Sequence, residues 1–174
     1  MKKTNYMSWE SYFMSLATLS AFRSKDQKTQ TGACIIGPDN KVIGIGYNGL
    51  PIGLDDSNSK FWQDADDSDI EHSKHTYVVH AERNAIYNSF GQTIKGATLY
   101  ATLFPCANCA QTIIQSGISR VVYNDIKEGH ESEMRAVMTM FQGAGIVVDA
   151  FQQMHVRDAQ SVAELQALKQ QLYP

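Results

Sequence analysis

The sequence predicts an α/β sandwich containing some parallel sheet, and three observations lead there. From residue 80 onward, strand-like and helix-like segments alternate, the arrangement that builds parallel sheet. Before that point, two apolar runs flank the turn Gly37-Pro38-Asp39-Asn40, which marks a β-hairpin. The length of 174 residues, 43% of them hydrophobic, suits one domain that buries a core without disulfide staples.

Each element has its own justification. Ser8 suits an N-cap, and Trp9, Tyr12, Phe13, Leu16, Ala17 and Ala21 then recur at helical spacing. The polar loop Arg23-Ser24-Lys25-Asp26 ends that helix. The hairpin pairs 33–36 with 42–47. Residues 48–77 are long, polar and rich in Gly, Asp and Ser, with a short helix expected over 61–65; loops of that length usually serve as functional insertions. Next come a helix over 80–90, a strand over 98–103, a helix over 106–116 and a strand over 120–124. A helix over 131–142 stops near Gly143, and a last strand covers 146–148. Val162, Leu165, Leu168 and Leu172 give an amphipathic tail helix whose polar face is not basic, so it packs on the domain or a neighbouring subunit rather than a membrane. Residues 1–150 are read as the domain and 151–174 as a partly helical tail.

Charge and cysteine usage narrow the function. The formal net charge is −3, but seven acidic residues fall within 55–71 against one lysine. The rest of the chain holds 11 acids against 14 bases, a body suited to an anionic small molecule. A polynucleotide binder would carry a basic stripe, and no apolar run reaches the roughly 18–20 residues of a membrane span. No clean apolar segment follows the N-terminal lysines, so a secretory signal is not expected and the location is read as cytoplasmic. The three cysteines, two of them in a C-x-x-C, point to metal or redox use rather than a disulfide framework.

The chemistry is concentrated in His80-Ala81-Glu82 and Pro105-Cys106-Ala107-Asn108-Cys109. A C-x-x-C alone is equally compatible with redox or structural zinc. One imidazole and two thiolates make a catalytic zinc set, with a fourth position left for water. Both ligand groups fall at expected helix starts, whose dipoles favour thiolates and hydroxide. Together they form the H-x-E…P-C-x-x-C signature of zinc nucleobase deaminases, in which zinc brings the pKa of water toward ~7 and hydroxide attacks the carbon bearing the exocyclic amine. Glu82, beside a ligand without being one, then shuttles protons from water to the ring nitrogen and to departing ammonia. Cys34 sits in an apolar run and reads as a small core residue; His72 and His75 lie in the acidic loop and read as solvated, a second zinc there being the lesser alternative.

Between Trp9 and Val148 the sequence resembles deoxycytidylate (dCMP) deaminases. The motifs that carry the resemblance are Tyr12-Phe13-Met14, Arg23-Ser24-Lys25-Asp26, Gly32-Ala33-Cys34-Ile35, the run from Gly44 through Asn48 to Gly53, His80-Ala81-Glu82-Arg83-Asn84-Ala85-Ile86 and Leu103-Phe104-Pro105-Cys106. The zinc motif alone would admit cytidine, guanine, tRNA-adenosine and riboflavin-pathway deaminases. The Gly-Tyr-Asn-Gly-x-Pro segment together with the Arg-Ser-Lys-Asp loop narrows the choice. The resemblance implies a cytidine-deaminase-like three-layer α/β/α sandwich on a mixed sheet of about five strands. It implies hydrolysis of dCMP to dUMP and ammonia, feeding thymidylate synthesis, one zinc ion held by His80, Cys106 and Cys109, and Glu82 as proton shuttle. It also implies a homo-oligomer, commonly a hexamer, activated by dCTP and inhibited by dTTP. Asn48 would hydrogen-bond the sugar, and Ala81 and Phe104 belong to the same substrate-binding set.

Other assignments stay two-sided. Arg23, Ser24 and Lys25 would serve a substrate phosphate or an effector triphosphate, or simply end a helix where cations are favourable. Tyr123, at a strand end, would cover the base or pack in the core. Arg83 stands where such deaminases often carry an apolar residue, and either adds a phosphate contact or faces solvent. A rival of another class is a nucleotide-binding regulator with structural zinc and no turnover, for which Glu82 would be superfluous.

Overall fold

The structure, a computed structural model, describes residues 1–66 and 68–172. Asp67 of the acidic stretch and the last two residues of the tail lie outside the described residues. One mixed sheet runs through the molecule in the order β2-β1-β3-β4-β5. Its strands are β1 (Gly32–Ile36), β2 (Val42–Tyr47), β3 (Thr98–Leu103), β4 (Arg120–Asp125) and β5 (Val147–Ala150). The β1–β2 and β1–β3 pairs are antiparallel, and β3–β4 and β4–β5 are parallel. The mixture follows from the connections: a tight turn reverses the chain, whereas an intervening helix returns it in the same direction. At the hairpin turn Asn40 adopts φ 60°, a left-handed conformation that asparagine tolerates well.

The helices are α1 (Trp9–Ala21), α2 (Lys74–Tyr77), α3 (Ala81–Tyr87), α4 (Ala107–Gln115), α5 (Glu131–Gly143) and α6 (Gln160–Leu172). Ser8 caps α1, its hydroxyl accepting the Ser11 N–H at 3.3 Å. Successive strand residues point to opposite faces, and they divide the core into two layers. Ala33, Ile35, Leu99 and Val121 pack with Ala85, Ile113 and Phe141 from α3, α4 and α5. Cys34, Ile36, Tyr100 and Val122 face the other way, onto Phe13 and Met14 of α1, with Phe151 and Val162 from beyond residue 150. The result is helices on both faces of a five-stranded sheet, as expected. Cys34 is a core residue, and burial pushes its thiol up to about 12.

In place of the helix expected over 61–65, the long loop forms 3-10 turns at Ser59–Trp62 and Ile70–His72. Three of its exposed acids pair with lysines: Asp56 with Lys25, Asp64 with Lys28 at 2.6 Å, and Glu71 with Lys60 at 3.2 Å. Beyond residue 150, the Asp158 carboxylate accepts the Ser8 N–H at 2.7 Å and the Ser11 hydroxyl at 2.9 Å, which ties this segment to the start of α1. Among the described residues, no helix is long and apolar enough to cross a membrane.

Two contacts place the element that carries the site. Gly49 and Val79 exchange backbone hydrogen bonds of 3.1 and 2.9 Å, which fixes the chain immediately before His80. Helix α3 then lies directly on β2, and a Cβ at Gly46 would stand 2.2 Å from the Ala85 nitrogen and 2.3 Å from the Ala81 oxygen. No side chain fits there, so glycine is required for the approach rather than for its backbone freedom. Asn84 and Asn88, one turn apart, donate their side-chain amides to the Tyr47 and Ile45 carbonyls of this edge strand, each at 2.8 Å.

Candidate active site

His80 and Cys106 occupy the N-cap positions of α3 and α4, both in extended backbone conformation, and Cys109 follows in the first turn of α4. Strands β2 and β3 run in the same direction, each antiparallel to β1, so the helices that follow them start at the same carboxyl end of the sheet, which brings residues 26 positions apart together. His80 Nδ1 lies 3.4 Å from Cys106 Sγ and 3.5 Å from Cys109 Sγ. The three donor atoms all lie within 4.8 Å of one another, and no other such group occurs among the described residues.

These spacings fit zinc. Bonds of about 2.3 Å to sulfur and 2.0–2.1 Å to nitrogen, at tetrahedral angles, separate the donor atoms by about 3.5 Å. Two sulfurs and an imidazole that converge are a soft, borderline donor set, and three protein ligands are what a catalytic site supplies. The neighbouring Cys109 thiol holds Cys106 well below the ordinary thiol range, while burial and the Cys106 sulfur push Cys109 up. The Cys106 sulfur in turn raises the His80 imidazole.

Glu82 stands next to this set without belonging to it. Its Oε2 is 3.6 Å from Cys109 Sγ, its side chain is 7% exposed, and burial raises its carboxyl above the usual range. It lines a cavity of about 560 Å³ together with His80, Cys106, Phe104 and Asn48. Phe104 stands edge-on to the Tyr123 ring, with centroids 5.0 Å apart, so Tyr123 backs the cavity wall from the core instead of forming it. Ala81 is buried in the helical layer, also outside the wall.

Asn48 ties the site to the neighbouring loop. Its Oδ1 accepts the Thr31 N–H and its Nδ2 donates to the Thr29 carbonyl, both at 2.8 Å, while the Ser24 hydroxyl donates to its carbonyl at 3.0 Å. An amide side chain has two hydrogens and two lone pairs, so one of each remains for a ligand. The expected phosphate loop is placed otherwise. Ser24 is buried in that bond, Arg23 is exposed, Lys25 pairs with Asp56, and none of the three lines the cavity. Arg83 also lies outside it, its guanidinium donating to Tyr87 Oη at 3.1 Å.

Sequence reading missed several residues in the wall. Lys28, Lys74 and Lys127 supply its cations, and Asp26, His130 and Glu133 also line it. The Asp26 carboxylate accepts the Lys28 and Thr29 amides at 2.8 and 2.9 Å, a turn signal that was legible in Asp-x-Lys-Thr. Nothing in sequence singles out Lys74 or Glu133.

A family model described as the cytidine and deoxycytidylate deaminase zinc-binding region matches residues 7–125. The chain belongs to the cytidine and deoxycytidylate deaminase family. Human deoxycytidylate deaminase is 42% identical over 150 residues, covering 86% of this chain and 83% of its own. A probable deoxycytidylate deaminase of Drosophila melanogaster is 45% identical over 148 residues, covering 83% and 73%. Among solved structures, the dCMP deaminase of cyanophage S-TIM5 in complex with dCMP and dUMP superposes with a TM-score of 0.66 at 22% identity, over 86% of this chain and 99% of that one. At that identity the likeness speaks for the deaminase fold. The family binds zinc, and His80, Cys106 and Cys109 are placed to hold one ion per chain.

Proposed function

We propose that this deaminase hydrolyses dCMP to dUMP and ammonia, supplying dUMP for thymidylate synthesis. The observation that carries the reading is the seat of Glu82, a buried carboxyl in the cavity wall, 3.6 Å from a ligand sulfur but outside the ligand set. A structural zinc site has no use for it. The likeness to the human deoxycytidylate deaminase supports a pyrimidine nucleotide as the substrate.

Bound zinc supplies Lewis acidity that brings the pKa of water toward ~7. Glu82 accepts a proton from the attacking water and hands it to N3 of the cytosine ring. It accepts the second water proton and delivers it to the exocyclic nitrogen. A C4–O bond forms, the C4–N bond breaks, and one water is consumed for each ammonia released. Phe104 offers an apolar face to the base, the remaining amide valences of Asn48 suit a sugar hydroxyl, and Lys127 is the wall cation offered to the phosphate, Lys28 and Lys74 being paired with Asp64 and Asp26. Arg23, Ser24, Lys25 and Arg83 lie outside the cavity wall, so any anion role of theirs is with an effector, dCTP activating and dTTP inhibiting as the resemblance implies, the alternative being an ordinary helix end and a solvent-facing Arg83. The exposed Tyr87 and Phe90 near the end of α3 suit a homo-oligomer, read as a hexamer, working in the cytoplasm without polynucleotide or membrane partners.

Ammonia release from dCMP, set beside CMP, deoxycytidine, guanine and tRNA, tests the reading. Glu82→Ala is expected to keep its zinc and to lose at least about 10²-fold in kcat. Turnover of guanine or tRNA without dCMP would overturn the substrate, and an active Glu82→Ala enzyme would overturn the shuttle.

A further inference from the structure

We infer that Glu133 is a positioning residue for the zinc-thiolate helix: reaching across from α5, its Oε1 accepts the Ala107 N–H at 2.8 Å, at the first residue after the ligand Cys106. The first N–H groups of a helix have no partner within it and need one from outside. Cys106 holds the N-cap position of α4, and a side chain there reaches the amides of the second and third helical residues, so the Ala107 amide, at the first, needs its acceptor from another element. Glu133 supplies the missing acceptor from 26 residues away in sequence. A carboxylate on a helix N-terminus makes a charge-assisted bond and complements the helix dipole.

The second carboxylate oxygen is held as well. His130 Nδ1 stands 3.3 Å from Glu133 Oε2, so the imidazole fixes the plane in which Oε1 meets Ala107. The peptide nitrogen held by Glu133 is bonded directly to the Cys106 carbonyl carbon. Any tilt of that peptide swings the Cys106 side chain and moves its sulfur relative to His80 Nδ1. Outer partners that orient metal ligands typically matter by 10–100-fold in affinity or activity. Glu133 also lines the cavity, so a direct contact with substrate is the competing role.

The inference rests on the zinc site, and its turnover arm on the proposed dCMP reaction. The test uses the full chain with Glu133→Ala, Glu133→Gln and Glu133→Asp, measuring zinc affinity by competition with a chromogenic chelator, and kcat and KM for dCMP. Glu133→Gln keeps an acceptor oxygen at the same reach and is expected within about threefold of the parent in zinc affinity and kcat. Glu133→Asp keeps the charge but falls short of Ala107, and like Glu133→Ala it is expected to lose about 10-fold or more in zinc affinity. Both should lose kcat while KM stays within about twofold, as removal of a ground-state contact would not produce. Undiminished zinc affinity in Glu133→Asp would overturn the assignment. So would a rise in KM alone, or a Glu133→Gln variant as weak as Glu133→Asp. The zinc measurement decides even if dCMP proves not to be the substrate.

Discussion

Lys74 Nζ lies 2.8 Å from Asp26 Oδ1, with the two side chains 7% and 4% exposed. The pair joins the start of α2 to the loop that follows α1, in the wall of the catalytic cavity. Burial alone would raise the Asp26 carboxyl. The Lys74 ammonium and the amides of Thr29 and Lys28 outweigh it and hold the group below its usual value. Removing one partner strands the other charge, so Lys74→Met should cost about 3–5 kcal/mol in urea unfolding. Because the folded value is the lower one, Asp26 contributes its full stabilisation above the unfolded pKa of about 3.9. That contribution drains away as pH falls through the folded value. In Asp26→Asn this acid-side loss should be missing from the pH–stability profile.

Zinc content should be close to one ion per chain by elemental analysis. Exhaustive chelation should abolish turnover, and added zinc should restore it. Cys106→Ser should leave the protein without stoichiometric zinc. Cys34→Ala should keep its zinc, since Cys34 is sealed in the α1 face of the sheet, among Phe13 and Tyr100.

Gly46→Ala should damage both stability and catalysis. The new methyl would enter a space already held by the backbone of Ala81 and Ala85, at 2.3 and 2.2 Å. Overpacking of that kind costs about 1–3 kcal/mol or more and would push α3, with His80 and Glu82, off the edge strand. Gly143→Ala is the matched control: nothing lies within 4 Å of its Cβ, and it ends α5 in an ordinary helical conformation. It should raise stability by about 0.4–1 kcal/mol in the same assay.

Asn48→Ala should separate structure from binding. It removes the bonds to the Thr29 carbonyl and the Thr31 amide, and an unsatisfied buried group costs about 1–3 kcal/mol. A rise in KM for dCMP beyond that of an equally destabilised variant elsewhere would mark the sugar contact.

What the sequence revealed follows from how local each feature is. The hairpin, α1 with its Ser8 cap, and the strand–helix alternation after residue 80 rest on periodicity within a few residues, and the structure reproduces them. The zinc set was legible because its ligand groups are short motifs at helix starts. The loop over 48–77 was harder, because its shape comes from ion pairs to Lys25, Lys28 and Lys74 instead of any period of its own. Arg23, Ser24, Lys25 and Arg83 are the anion candidates that sequence offers. The cavity wall draws its lysines singly from three separate segments, at Lys28, Lys74 and Lys127. One lysine in a polar loop reads as solvated until the fold shows what surrounds it. Glu133 was hidden for the same reason, since its partner amide belongs to another helix.

The bond between Ser8 and Asp158 joins positions 150 residues apart. Synthesis begins at the N-terminus, so α1 leaves the ribosome long before the carboxylate that fastens its first turn exists. Until residues 151–162 arrive, Phe13 and Met14 lack the cover that Phe151 and Val162 give them. The layer made first is therefore closed last, and during that interval the nascent chain displays an uncovered apolar surface to which a chaperone, or another unfinished copy, has access.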